Sequence, residues 1–529
     1  MKQSFYQTSK LFYFYVKRNS KKMILWVVLL TALTLMIPPA FESMYPSQSK
    51  MSPIIEMSKN PAMQAMLGPA DFEHVNIGVL FTHEMTLFTA IMVAIMNILI
   101  VSRGTRGDEE DGRIIILTAL PIGKQAPLMG HLLQTLLLNV SLMILLTLGL
   151  TLLSVDGIDL VGAFLYSSAL GVFGIMFAAL TMLVAQFVSS SSETTGVSIA
   201  LLLIMYLVRA FGDVANETLS MFSPMGWLSR TYAFSEDYWW PVWCILGITV
   251  IFVISAFVLN GLRDIEAKLL PQKKGKQHAK SYMKSPLGLQ IKLQKMSFIY
   301  FAIGLFILGL SYGSIFGNLD DFFKDNPLLL SMLENPNGDY IKQFLPQLML
   351  VMAIISTVPT LLALFKIKKA IDKEYATLVL ANPISRIKYL LSFLIISVVN
   401  AVVMIFVAGL GLYAGQFYSM DTPLDFDMVI QSAIVYIPAI LSFVGIGTVV
   451  IGWGIKLTTL VYAYLAYTFL VNYLGTLLNV KDWMKDITPF EHIPSLPIDD
   501  FTSGPIITLL LIFIILCVIG VIGFNRKDI

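Results

Sequence analysis

The sequence predicts an all-α polytopic membrane protein built from two parallel six-helix repeats. The 529-residue chain is 56% hydrophobic and 13% charged, and its mean hydropathy is +0.76. Domains that fold in water seldom reach such a value. Apolar runs of about 18 residues, enough to cross about 30 Å of hydrocarbon as a helix, recur along the chain. Local similarities at one nearly constant spacing indicate that the second half repeats the first.

About twelve apolar runs are long enough to span a bilayer. Basic residues precede the first run, but no clear small-residue cleavage site follows it, so we interpret it as a span and not as a signal peptide. The predicted spans are residues 23–40, 77–101, 126–153, 160–188, 196–211, 241–262, 296–316, 345–365, 389–417, 428–452, 458–478 and 505–523.

The distribution of charge predicts the orientation of these spans. With the N-terminus inside, roughly 28 basic and roughly 10 acidic residues fall in inside segments, against roughly 7 basic and roughly 23 acidic residues in outside segments. Lys and Arg favour the cytoplasmic side of a membrane. We therefore expect both the N-terminus and the C-terminus to be cytoplasmic.

Three pairs of similar segments suggest an internal duplication at an offset of about 262 to 266 residues. "KNPAMQAML" at 59–67 resembles "DNPLLLSML" at 325–333, "LTALPIGK" resembles "LVLANPISR", and "FSPMGW" resembles "ITPFEH". The predicted domains are a first six-span half at 1–262, a basic cytoplasmic linker at 263–295 and a second six-span half at 296–529. Because each half has an even number of spans, both halves insert in the same orientation.

Several functional classes find no support in the sequence. The net charge is only +2, so we expect no nucleic-acid partner, and the basic linker is better suited to anionic membrane lipids. Both cysteines, Cys244 and Cys517, lie in predicted spans, and the five histidines lack metal-ligand spacing. We therefore predict no metal site and no catalytic residues. The phosphate-binding motif GxxxxGK[ST] is missing as well, so we do not expect the chain to hydrolyse ATP by itself.

The segment "RGDEEDGRIIILTALPIGK" interrupts the apolar sequence after the second span. On one helix, Arg106, Glu109, Glu110 and Arg113 would share a charged face at i, i+3, i+4 and i+7. Ile114, Leu117 and Leu120 would then form an apolar stripe that ends at Pro121. Such a helix could lie in the lipid headgroups or could bind a cytoplasmic partner.

This segment resembles the R-x-x-E-E-x-G-R…L-x-A-x-P motif of permease subunits of bacterial ATP-binding-cassette (ABC) exporters of the type 2 class. The chain is similar in length and topology to the duplicated permeases of that class that are described as exporters of polyketide antibiotics or drugs. The resemblance implies that the segment is a cytoplasmic coupling helix that docks on the ATPase. The matching positions are Arg106, Glu109, Glu110, Gly112, Arg113 and Pro121.

The second half carries a weaker copy, "DKEYATLVLANPISR". It has Glu374 and Tyr375 where the first copy has Gly and Arg, so we expect it to dock less tightly. By the same resemblance, its coupling positions are Asp372, Lys373, Glu374, Pro383 and Arg386.

The resemblance also implies the partners. A separate ABC ATPase subunit, in two copies, would bind ATP and Mg²⁺, while this chain would bind no cofactor. The chain would lie in the bacterial plasma membrane and move a small amphipathic compound outward. An ATP-independent secondary transporter with two parallel six-span halves is the alternative, and a membrane enzyme is a third possibility without a recognisable catalytic site.

A few polar residues fall within predicted spans, where an unpaired charge is costly. Glu84, Asn97, His131 and Arg209 are candidates for a substrate path, although interfacial placement of the two charges and hydrogen bonding between helices are the favoured explanations. Gly309, Gly313 and Gly317, and Gly411 with Gly415, form small-residue ridges that predict close helix packing.

Overall fold

We describe a computed structural model of the chain. The structure describes residues 2–45, 51, 55, 58, 61–69, 75–263, 278–314, 316, 340–417, 420, 422–473 and 481–527. All regular secondary structure within these residues is helical, which confirms the predicted class. The chain divides into two compact units, Met1–Lys274 and Gly275–Ile529, and the boundary falls within the predicted linker 263–295.

The described residues of the first unit form six long helices, with a short surface helix between the second and third of them. They are α1 (Thr8–Met44), α2 (Ile77–Ser102), α3 (Arg113–Thr118), α4 (Ala126–Leu152), α5 (Leu160–Phe187), α6 (Ser191–Ala215) and α7 (Trp240–Leu262). Shorter helices lie at Pro61–Leu67, Asp108–Glu110, Glu217–Ser220 and Pro224–Leu228.

The described residues of the second unit form helices in a similar order. They are α8 (Pro286–Gly313), α9 (Tyr340–Asp372), α10 (Tyr375–Leu380), α11 (Arg386–Gln416), α12 (Phe426–Ile434), α13 (Ile437–Trp453), α14 (Thr458–Tyr473) and α15 (Ser503–Asn525). A short helix also lies at Asp482–Asp486.

Eleven helical stretches in the described residues are long and apolar enough to cross a membrane, and each overlaps a predicted span. The chain is therefore a multi-pass membrane protein. The predicted span at 458–478 coincides with α14, which has 16 described residues. A helix of that length rises about 24 Å, short of the hydrocarbon thickness, and residues 474–480 lie outside the described part. The twelfth span thus stays a prediction.

Each unit has its own apolar core. In the first unit α5 lies at the centre, because almost its whole length is buried against α2, α4 and α7. In the second unit the core is formed chiefly by α9, α11 and α13. The outer helices, such as α1 and α15, expose apolar side chains that a bilayer accommodates.

The predicted glycine ridges of the second unit pack against each other. A Cβ atom on Gly309 of α8 would lie 2.2 Å from the carbonyl oxygen of Ala408, and one on Gly411 of α11 would lie 2.2 Å from that of Phe306. Gly313 and Gly415 continue the same contact, so the two backbones touch over more than one turn. The prediction of close packing is confirmed for these four glycines, while Gly317 lies outside the described residues.

Candidate functional site

The charged segment after α2 is not one continuous helix. The backbone passes through a π-helical turn at Arg103–Gly107 and a single α-turn at Asp108–Glu110, and then turns at Gly112 into α3. Gly112 has a φ of 69°, a left-handed conformation that a right-handed helix cannot include. The prediction that Arg113 extends the face of Arg106 and Glu109 was therefore wrong.

Arg106 and Glu109 point into the unit instead of toward solvent. The Arg106 side chain is 2% exposed; its Nε donates to the carbonyl oxygen of Ala185 at 2.5 Å, and its Nη1 lies 2.6 Å from Glu109 Oε2. Glu109 also accepts from both terminal nitrogens of Arg263, at 2.5 Å and 3.0 Å. Glu109 therefore connects the segment to the residue that follows α7.

Asp108 forms a second buried ionic centre. Its side chain is 1% exposed, and its two oxygens accept from Arg18 of α1 and from Arg113, each at 2.8 Å. Arg113 also pairs with Asp111 at 3.0 Å. The imidazole of His131, a candidate for a substrate path, lies 4.0 Å from Asp108. His131 is therefore next to the charged segment.

The surface of the segment presents one acid and several bulky apolar side chains. Glu110 is exposed and forms no ion pair among the described residues. Ile115, Ile116 and Leu120 are 55%, 70% and 54% exposed. Leu117 packs inward, so of the predicted stripe only Leu120 is strongly exposed.

The second segment repeats this local geometry. Glu374 has a φ of 58° and directly precedes α10, a helix of six residues like α3. Leu378 occupies the position 262 residues after Ile116 and is 71% exposed, nearly the same fraction. Asp372 and Lys373 are also exposed, at the end of α9.

The basic residues that follow Pro121 and Pro383 have matching structural roles. Lys124, three residues after Pro121, donates to the carbonyl oxygen of Gly261 at 2.9 Å. Arg386, three residues after Pro383, donates to the carbonyl oxygens of Asn525 and Lys527 at 3.2 Å and 2.7 Å. Each cation thus binds the C-terminal end of the last long helix of its unit, where the helix dipole is negative.

Asp372 lies close enough to this C-terminal end to act on it electrostatically. Burial lowers the pKa of the Lys527 ammonium, and the Asp372 carboxylate partly opposes that shift.

Asn97 lies within a hydrogen-bonded pair of amides. Asn97 Nδ2 donates to Asn139 Oδ1 at 3.1 Å, and Asn139 Nδ2 donates to Asn97 Oδ1 at 2.8 Å. Gly174 of α5 makes room for them, because a Cβ atom there would lie 2.2 Å from Asn139 Oδ1. Both asparagines are fully buried, so the pair joins α2 to α4.

The remaining membrane candidates are far from the charged segment. Arg209 is fully buried, and it binds Asp213 at 3.2 Å and the carbonyl oxygens of Gln64 and Met66. Arg230 binds the other oxygen of Asp213 at 3.2 Å. Glu84 is partly buried in the second turn of α2. The structure does not bring these residues together with Asn97 or His131 into one path.

A cavity of about 240 Å³ lies behind the first segment. Residues of the segment and of the ends of α5 and α7 line this cavity. The lining includes Glu109, Ile114, His131, Gln186 and Arg263. Among the described residues no cluster of His, Cys, Asp and Glu could hold a metal ion.

Sequence reasoning missed several participants in these clusters: Arg18, Asp108, Asp213, Arg230 and Arg263. Asp108 directly precedes the predicted acids Glu109 and Glu110 and could have been included as the first acid of the run at 108–111. Asp213 stands four residues after Arg209, so the i, i+4 spacing could have indicated that pair. Arg263 carries no local signal, because its partner depends on how the helices pack.

Comparison with known proteins identifies relatives of the whole chain. The family model described as "Multidrug efflux system permease Rv1217c, C-terminal domain" matches residues 14–259 and 283–525. The multidrug efflux system permease protein Rv1217c of Mycobacterium tuberculosis (strain ATCC 25618 / H37Rv) is 27% identical over 524 residues. That similarity covers 97% of this chain and 94% of the relative.

Proposed function

The chain belongs to the family of multidrug efflux system permeases typified by Rv1217c, and we propose that it is the membrane permease of a drug-efflux system. It would move small amphipathic compounds outward across the plasma membrane. The apolar spans, the two cores and the relative's name support this proposal.

We further propose that the permease is a transport subunit of an ABC exporter without a nucleotide-binding domain of its own. A separate ATPase subunit, in two copies, would bind ATP and Mg²⁺ and supply the energy. The two halves would be parallel repeats with cytoplasmic termini, and the charge distribution supports that orientation.

One observation carries the ATPase proposal. The two units each present a six-residue helix after a residue in the left-handed conformation, and each helix exposes a bulky aliphatic side chain at the same position, Ile116 or Leu378. Two equivalent surface helices suit two copies of one soluble partner. Exposed apolar side chains beside exposed charges are a common composition for a docking surface.

Copurification tests the proposal. The tagged chain, extracted from its native membrane in mild detergent, should retain a nucleotide-binding subunit and hydrolyse ATP only in that complex. Proteoliposomes of the complex should accumulate a dye such as rhodamine 6G when ATP is added. Transport that needs a proton gradient and no ATPase subunit would favour the secondary-transporter alternative, and helices α3 and α10 would then be interfacial helices in the lipid headgroups.

A further inference from the structure

The charged segment after α2 is tied to the membrane helices by buried ion pairs. Arg106 binds the last turn of α5 through the Ala185 carbonyl oxygen, and Glu109 binds Arg263 at the end of α7. Arg106 and Glu109 are in turn paired with each other. A displacement of the segment must therefore pull on α5 and α7 together or break a buried ion pair.

The corresponding positions of the second unit, 262 residues later, are Lys368 and Ile371. Lys368 donates to Thr458 Oγ1 at 2.9 Å, at the start of α14, and Ile371 packs against the apolar core. No carboxylate stands at the position of Glu109, so the second unit cannot form the ion pairs that tie the first segment to α5 and α7; among the described residues, Lys368 is bonded to the start of α14 instead.

Burial separates two roles within the first segment. The Glu109 side chain is 12% exposed and its two oxygens accept three charged hydrogen bonds from within the unit. Glu110 and Ile116 are exposed instead. An incoming protein can contact Glu110 and Ile116 directly, whereas it can reach Glu109 only by breaking those bonds.

From this arrangement we infer that Glu109 is a positioning residue for transport. It transmits movement of the docked first segment to α5 and α7 through Arg106 and Arg263, and it does not bind the ATPase. The two halves therefore transmit unequally, with the rigid connection in the first. This inference rests on the proposed ATPase partnership.

The test compares Glu109→Gln with Ile116→Asp in the complex with the ATPase that copurifies with the wild-type chain. Glu109→Gln should leave the dissociation constant for the ATPase within about twofold of wild type and keep ATP hydrolysis. Rhodamine 6G transported per ATP should fall at least about tenfold. Ile116→Asp should raise the dissociation constant at least about tenfold.

A double variant separates transmission from folding. Glu109→Gln leaves Arg106 and Arg263 buried without their shared carboxylate, whereas Glu109→Gln with Arg263→Gln removes one of the two buried arginine charges and should recover part of the lost melting temperature. We expect transport per ATP to stay low in the double variant. With Glu109 intact, Arg263→Lys should retain more of the coupling than Arg263→Gln, because it keeps the charge and one bond of the pair can still form.

Three results would overturn the inference. They are a tenfold loss of ATPase affinity in Glu109→Gln, unchanged transport per ATP in that variant, or full coupling in the double variant. If the wild-type chain neither binds an ATPase nor transports with ATP, the proposed function itself fails, and the inference fails with it.

Discussion

Gly112 and Glu374, 262 residues apart in sequence, have the same left-handed backbone conformation, with φ values of 69° and 58°. Each residue ends a long helical stretch and precedes a six-residue surface helix. The second unit therefore has the same turn, although Glu374 stands at the position where glycine would adopt this conformation without steric cost. The shared geometry is local evidence of duplication that the sequence shows only weakly.

Substitution at these two turns should have opposite effects. Glu374→Gly should stabilise the second unit, and Gly112→Ala should destabilise the first, each by about 1 kcal/mol, because only glycine adopts a positive φ without steric cost. A Cβ atom at Gly112 meets nothing within 4 Å, so the expected effect comes from the backbone alone.

Thermal unfolding of the purified variants in detergent measures both changes. Gly196→Ala is the matched control, since Gly196 is exposed within α6 and its Cβ atom also meets nothing within 4 Å. Ala should stabilise that helix. If Gly112→Ala raised the melting temperature as Gly196→Ala does, the left-handed turn would be refuted.

The glycine contact between α8 and α11 predicts a strong effect of one added methyl group. Gly411→Ala places a Cβ atom 2.2 Å from the carbonyl oxygen of Phe306, so the helices must separate. We expect a loss of stability of about 1 to 3 kcal/mol, as for overpacked cores. Gly304→Ala on α8 is the control, because a Cβ atom there meets nothing within 4 Å.

The melting temperatures of these two variants in detergent measure the predicted loss of stability. A larger loss in Gly304→Ala than in Gly411→Ala would show that α8 and α11 do not meet along these glycines.

The amide pair of Asn97 and Asn139 predicts an energetic coupling between α2 and α4. Replacing either residue by Leu leaves the other amide buried with one partner fewer, whereas replacing both removes the mismatch. A double-mutant cycle of thermal stability should give a coupling of about 0.6 to 2 kcal/mol. Additive effects would argue against the pair.

Asn400→Leu is a suitable comparison in the second unit. Asn400 Nδ2 donates to the carbonyl oxygen of Ile396 within its own helix α11. Its loss should therefore cost less than the loss of Asn97.

The sequence predicts helices and local pairs well, and distant pairs poorly. Continuous apolar runs locate eleven membrane helices, and the i, i+3 spacing of Arg106 and Glu109 correctly predicts their ion pair. The partnership of Glu109 with Arg263 spans 154 residues and depends on how α7 packs against the unit. Periodicity along one helix contains no information about that contact.

The predicted charged face does not form, because the segment is not one continuous helix. Gly112 follows a run of acids and could have indicated a helix end, as glycine commonly does. Arg209 was considered as a lining residue because charge in a span often marks function. Its partner Asp213, four residues later, shows that a helical ion pair at i, i+4 was the better interpretation.

The predicted orientation can be checked with single cysteines in a background that lacks Cys244 and Cys517. A cysteine at Glu110 should be shielded from an impermeant maleimide in intact cells, and one at Glu236 should react, because positive charge is concentrated on the side of Glu110. Both positions are exposed, so accessibility within the fold does not limit labelling. Reaction at Glu110 with protection at Glu236 would invert the topology; permeabilised cells provide the control for both sites.

If a soluble ATPase binds both surface helices, α3 and α10, the stoichiometry of the complex should show it. Mass photometry of the purified wild-type complex should show two ATPase subunits on each permease chain. Ile116→Asp should remove the subunit at α3 and Leu378→Asp the subunit at α10. Tyr238→Ser, at an exposed residue remote in sequence from both helices, should leave two bound. Two ATPase subunits on the Ile116→Asp, Leu378→Asp double variant, or none on the wild-type chain, would show that these helices do not bind an ATPase.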